Sequence, residues 1–174
     1  LSMRGISKEF PWPGARCGWI EMLNRESSPE FDEYCRALVN SKMMEVCSTT
    51  LPQMSIPRVI GDDRYAEHLR FRAGRFEERA RDAYKAFSPL DELIVNMPQG
   101  AIYFPVVFKD DVLNGRQTLH IEDASVRERV ESIVEGVPAD KRFVYYLMGA
   151  KGVCVTPLCG FHSDLMGFRI TLLQ

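Results

Sequence analysis

The stretch "GISKEFPWPGARCGW", Gly5 to Trp19, sets a lysine and an arginine eight residues apart, Lys8 and Arg16, each beside small residues. Pro11, Pro13 and Gly14 lie between them and interrupt any 3.6-residue period, so the two cations do not share a helical face. Phe10 and Trp12 alternate with the prolines, and a freely exposed loop has no obvious use for them. The pattern predicts a rigid turn folded against something, carrying one reactive amine and one fixed guanidinium.

Around that loop the bulk properties are ordinary. A chain of 174 residues can hold one good core or two small ones. Its composition, 45% hydrophobic and 26% charged, is that of a soluble globular protein. A formal charge of -2 with no isolated basic block gives no electrostatic case for nucleic acid. No apolar run approaches the roughly eighteen residues of a membrane span, and "LSMRGISKEF" lacks the apolar core of a signal peptide. Cys17, Cys35, Cys47, Cys154 and Cys159 are scattered without a CxxC pair, which predicts reduced thiols in a cytoplasmic protein and no zinc site. His68, His120 and His162 are far apart and read as surface or satisfied histidines. Because the decisive motif lies almost at the first residue, either Lys8 sits on a frayed terminus or the chain is part of something longer.

After the loop, "CGWIEMLN" predicts a short buried strand, ended by "NRESSPE". Ser28 as N-cap and Pro29 in the first turn predict an amphipathic helix from Pro29 to about Cys47, with Phe31, Tyr34, Cys35, Leu38 and Val39 at helical spacing. A short helix or helical turn is expected between Pro52 and Pro57, closed by Gly61. From Asp62 to Phe87, Tyr65, Leu69, Ala73, Phe76, Ala80, Ala83 or Tyr84 and Phe87 form one stripe. A helix of that length, about 38 Å at 1.5 Å per residue, commonly bridges two domains, and its balanced charges make a solvated face rather than a nucleic-acid surface. Beyond it, "DELIVN", "AIYFPVVF", "GVCVTPL" and "GFRITLL" predict strands, with helices ending near Gly136 and over "ADKRFVYYLMGA". Pro105 predicts that its strand is an edge or carries a bulge. Strands mixed with helices around one small sheet define an α/β fold of modest size.

Taken together these segments resemble the class I and II aminotransferases, the pyridoxal-phosphate enzymes related to aspartate and alanine aminotransferases. Ser7-Lys8 matches the family's Ser-Lys pair, whose lysine attaches to the cofactor. "GARCG", Gly14 to Gly18, matches the Gly-x-Arg-x-Gly setting of an arginine that grips the cofactor phosphate, here Arg16. At the far end, "GVCVTPLCGF" followed by "GFRITLL" is similar to the closing segments in which an arginine, here Arg169, binds the substrate α-carboxylate. "MPQGAIY" looks like the small domain's P-x-G-A-x-Y strand, and the long helix and "STTLPQ" fall in family order. The match runs from residue 4 or 5 to the C-terminus. One position departs from the pattern: where many relatives have a phosphate-binding Ser three residues before the lysine, this chain has Gly5, so phosphate contacts would be fewer or come from Ser7.

The resemblance implies an α/β fold, the C-terminal part of a fold type I pyridoxal-phosphate transferase, with residues 1–60 as a remnant of the large cofactor domain. Residues 61–174 would be the small domain, with a small mixed or antiparallel sheet. It implies pyridoxal 5'-phosphate as cofactor, amino acid and 2-oxo acid as substrates, and a homodimer, with Lys8 catalytic, Lys8, Ser7 and Arg16 on the cofactor, and Arg169 on the substrate carboxylate. The residues that pair with the pyridine nitrogen, stack on the ring and cradle the phosphate would come from a missing N-terminal half, so the 174 residues alone are expected to be inactive. Two alternatives stay open: the aminotransferase-like domain of a transcription regulator, and another reaction of the same cofactor, such as elimination or decarboxylation. Trp12, Trp19 and Tyr103 are read as packing residues, and His162 and Asp164 as exposed.

Overall fold

Two prolines, a left-handed arginine and two glycines bend the opening residues of the computed structural model, which describes residues 1–173, into a hairpin. Strand β1 (Ser2–Gly5) pairs antiparallel with β2 (Gly18–Glu21) in the register Gly5 opposite Gly18 and Arg4 opposite Trp19. Between them lie one turn of helix, α1 (Ile6–Glu9), and a 3-10 turn over Pro13–Ala15. β1 has no signature in the sequence, since four residues with no alternation are a strand only because β2 lies beside them. Gly18 is required here: a Cβ at that position would come within 2.7 Å of the Arg4 carbonyl oxygen. Ile6 is fully buried and its N–H donates to the Cys17 carbonyl (3.2 Å), closing the loop at its base.

The chain forms two compact units, Leu1–Glu67 and His68–Gln174. In the first, α2 covers Pro29–Lys42, capped by the Ser28 hydroxyl, which accepts from the Phe31 N–H (3.1 Å) with Pro29 in the first turn. It stops five residues short of the predicted Cys47, after a last turn with Met43 and Met44 exposed. Helix α3 (Thr50–Ile60) is longer than expected from the prolines: Pro57 lies inside it rather than ending it, and the helix ends where Gly61 N–H meets the Pro57 carbonyl. A proline removes one hydrogen bond and crowds the preceding turn, which weakens a helix without forbidding it.

Helix α4 (Tyr65–Phe87) realises the long periodic stripe, but the stripe serves two environments. Leu69 and Phe71 are exposed, whereas Phe76, Ala80, Ala83, Tyr84 and Phe87 pack into the core of the second unit. That core lies on one face of a four-stranded antiparallel sheet of β3 (Leu93–Ile94), β4 (Tyr103–Phe108), β5 (Thr156–Pro157) and β6 (Gly167–Thr171) in the order β3-β4-β6-β5. Phe104, Val106, Phe168 and Leu172 are buried on the helix side, with Val144 from α6 (Ala139–Lys151) against them. The period-2 alternation of β4 drives this: Phe104 and Val106 go inward while Tyr103 and Pro105 go outward. Helix α5 (Ala124–Ile133), capped by Asp123 through the Val126 N–H, packs on α6 around Ile121, Val130, Val134 and Tyr146. The result is helices on one face of an antiparallel sheet, within the expected α/β class.

The expectation for Pro105 needs correction. β4 is an interior strand, paired with β6 along its length and with β3 only at Val107 and Phe108. Phe108 N–H donates to Met166 on the β6 side, and Lys109 N–H to Glu92 on the β3 side. By that alternation the Pro105 nitrogen faces the β3 side, where β3 no longer reaches. The missing donor therefore costs no ladder bond. Gly167 is the second glycine that geometry demands, because a Cβ there would lie 2.2 Å from the Val106 carbonyl oxygen.

Asp140, in the first turn of α6, is a fully buried charged residue. Its carboxylate accepts from the N–H of Lys141 (2.7 Å) and of Cys159 (2.8 Å), tying α6 to the 3-10 turn Leu158–Phe161. Burial, and then the Asp140 carboxylate, push the Cys159 thiol above its ordinary value, so it stays a protonated structural thiol. Asp140→Ala would strand both amides in the interior; a loss of about 2–3 kcal/mol is expected, read as a lower urea midpoint, and an unchanged midpoint would contradict it.

Candidate functional site

The opening hairpin presents Lys8 and Arg16 inside one closed loop. The bond from Ile6 N–H to the Cys17 carbonyl brackets both, Lys8 two residues after its donor and Arg16 one residue before its acceptor. Lys8 and Arg16 are exposed, and Ser7 is half-buried. The turn beneath them is held by Phe10 N–H and Trp12 N–H, which both donate to the Ile6 carbonyl (3.2 Å each). Phe10 meets the Tyr65 ring edge-on at 5.6 Å, and the Tyr65 hydroxyl donates to Glu9 (3.0 Å), so the loop does fold against its own unit.

Arg16 has left-handed backbone angles, φ 50° and ψ 48°, where a side chain with a Cβ costs about 1–2 kcal/mol. Its Nη1 donates to the Pro13 carbonyl (3.1 Å), which orients the guanidinium on the turn that carries it. Such strain, maintained by neighbours at an exposed cation, is characteristic of functional loops. Trp19 donates to Glu21 (3.1 Å) and serves the hairpin itself; Trp12 is 41% exposed on the loop surface.

Arg169 belongs to the second unit. It stands on β6 opposite Pro105 of β4 and Thr156 of β5, on the sheet face away from the helices. Tyr103 and Phe161 cover its guanidinium, with the carbon centre 4.0 Å and 4.1 Å from the two ring centroids. Its Nε is buried, and is the one buried side-chain nitrogen or oxygen among the described residues without a hydrogen-bond partner. A buried guanidinium N–H left unpaired is costly, and an anionic ligand is the usual remedy. Tyr103, read from sequence as a packing residue, is thus part of this site. It closes the P-x-G-A-x-Y segment "MPQGAIY", but its diagonal position to Arg169 exists only once β4 pairs with β6. His162 and Asp164 are exposed, as expected. Among the described residues no group of three or more His, Cys, Asp or Glu side chains could hold a metal ion, and no helix is long and apolar enough to cross a membrane.

The hairpin thus carries a primary amine, a hydroxyl and a guanidinium on one closed loop. The chain belongs to the class I and II aminotransferases: the family model matches residues 1–173. It is 49% identical over 174 residues to an uncharacterized aminotransferase of Methanocaldococcus jannaschii, a comparison that covers all of this chain. The chain spans 40% of that relative's length.

Proposed function

We propose that this chain, within a polypeptide of the relative's full length, serves a pyridoxal-phosphate-dependent aminotransferase moving an amino group between an amino acid and a 2-oxo acid. The observation that carries this reading is the family match over residues 1–173, which includes the segments bearing Lys8, Arg16 and Arg169. Residues 1 to about 60 are then the tail of the large cofactor domain and the rest the small domain. A cytoplasmic homodimer is the proposed setting.

Pyridoxal 5'-phosphate, when bound, supplies the electron sink. Lys8 is the residue that would attach to it, with Arg16 and Ser7 on its phosphate. The Lys8 Nζ, as a neutral amine, would act as the general base toward the substrate Cα proton. Arg169 would grip the substrate α-carboxylate through two parallel N–H bonds and fix its orientation.

A spectrophotometric titration tests the reading. The longer polypeptide should take up one cofactor per chain and turn over an amino acid with 2-oxoglutarate. The 174 residues alone should bind the cofactor weakly and show little turnover; stable 1:1 loading with turnover by this chain alone would end the two-part argument. Arg16→Ala in the longer polypeptide should weaken cofactor affinity by about 10- to 100-fold, because a phosphate dianion loses one charge-assisted fork. Unchanged affinity would remove Arg16 from the phosphate site.

A further inference from the structure

We propose that Tyr103 and Phe161 are positioning residues that clamp the two faces of the Arg169 guanidinium, so that this site selects a planar carboxylate over a tetrahedral oxyanion. The inference rests on the reading of Arg169 as a carboxylate binder and adds how that binding is made selective. A guanidinium carries its five N–H donors in one plane, and its two faces carry none. Rings centred 4.0 Å and 4.1 Å from its central carbon fix that plane and leave only the edge for a ligand. A carboxylate meets the edge with both oxygens in plane. Phosphate must put oxygens above and below it, where the rings stand.

Both walls have firm backing. Tyr103 lies on β4 opposite Thr171, diagonal to Arg169 and within reach of a long side chain. Phe161 ends the 3-10 turn Leu158–Phe161, whose Cys159 N–H is held by the fully buried Asp140 carboxylate. Phe161 is itself 45% exposed, so it contributes little to the core and its placement over Arg169 is not explained by packing. The buried, unpaired Nε is then the inner donor of a two-point contact.

The test follows backbone amide signals of Phe168 and Ile170 in the full 174-residue chain by NMR, titrated with sodium propionate and, separately, with inorganic phosphate at constant ionic strength. Wild type should prefer propionate. Phe161→Leu should weaken propionate binding by about tenfold and narrow its preference over phosphate, with the urea midpoint unchanged, whereas Phe161→Tyr should stay within about twofold of wild type. Tyr103→Leu should act in the same direction as Phe161→Leu. If wild type gives no response to propionate, or Arg169→Lys leaves that response intact, the carboxylate reading itself falls and the clamp with it. If Arg169→Lys abolishes binding but Phe161→Leu binds both anions like wild type, only the clamp is overturned. A loss shared by Phe161→Leu and Phe161→Tyr alongside a lower midpoint would assign Phe161 to packing and also overturn it.

Discussion

Lys8→Ala, made in a polypeptide of the relative's full length, is expected to lower kcat for transamination by at least about 10²–10⁴-fold, the range that a positioned general base supplies. Loss of cofactor attachment should deepen the defect. Lys8 sits on the single turn α1, after the buried anchor Ile6 and inside the loop that Ile6 and Cys17 close. Alanine keeps that turn, since neither the anchor nor its hydrogen bonds involve the Lys8 side chain atoms beyond Cβ. The loss should therefore be chiefly chemical. Borohydride reduction of the loaded wild-type protein followed by peptide mass spectrometry should find the pyridoxyl group on Lys8. An adduct on Lys42 or Lys151 instead would overturn the assignment.

Arg169→Ala should leave the cofactor in place and act on the substrate. Losing a two-point charge-assisted contact to a carboxylate costs about 3 kcal/mol, on the order of a 100-fold fall in kcat/KM. Most of it should appear in KM if the carboxylate is held equally in the ground and transition states, and in kcat if the contact also aims the Cα–H bond. Amino acid and 2-oxo acid should suffer alike, because both present the same carboxylate. A variant with normal kcat/KM for both partners would remove Arg169 from the substrate site. The contrast with Arg16→Ala, which should act on cofactor affinity, separates the two guanidiniums by measurement.

Local chemistry made much of this architecture legible. Ser28 and Pro29 specify the start of α2 by themselves, because an N-cap oxygen and a proline in the first turn satisfy only neighbouring backbone groups. The stripe of α4 from Phe76 to Phe87 is equally local, since a 3.6-residue period needs no partner to be recognised. The Ser-Lys and Gly-x-Arg-x-Gly spacing around Lys8 and Arg16 was legible for the same reason, whereas the need for glycine at Gly18 follows from the Arg4 carbonyl across the hairpin. Strands were harder. β1 has no alternation of its own, and "DELIVN" and "GVCVTPL" each pair over only two residues, because a strand is specified by its neighbour as much as by its own sequence.

By itself, then, the sequence determined the start of α2, the stripe of α4, the order of the segments, the family and the candidate cations, all of which are written in short-range patterns. Tertiary structure alone decided what surrounds those cations. The pairing of β4 with β6 brings Tyr103 diagonal to Arg169, and the buried Asp140 carboxylate holds the turn that lays Phe161 on the other face. It also decided that Pro105 could stand in an interior strand, because β3 ends before reaching it. These contacts join residues far apart in the chain, and no local period or motif encodes the register that brings them together.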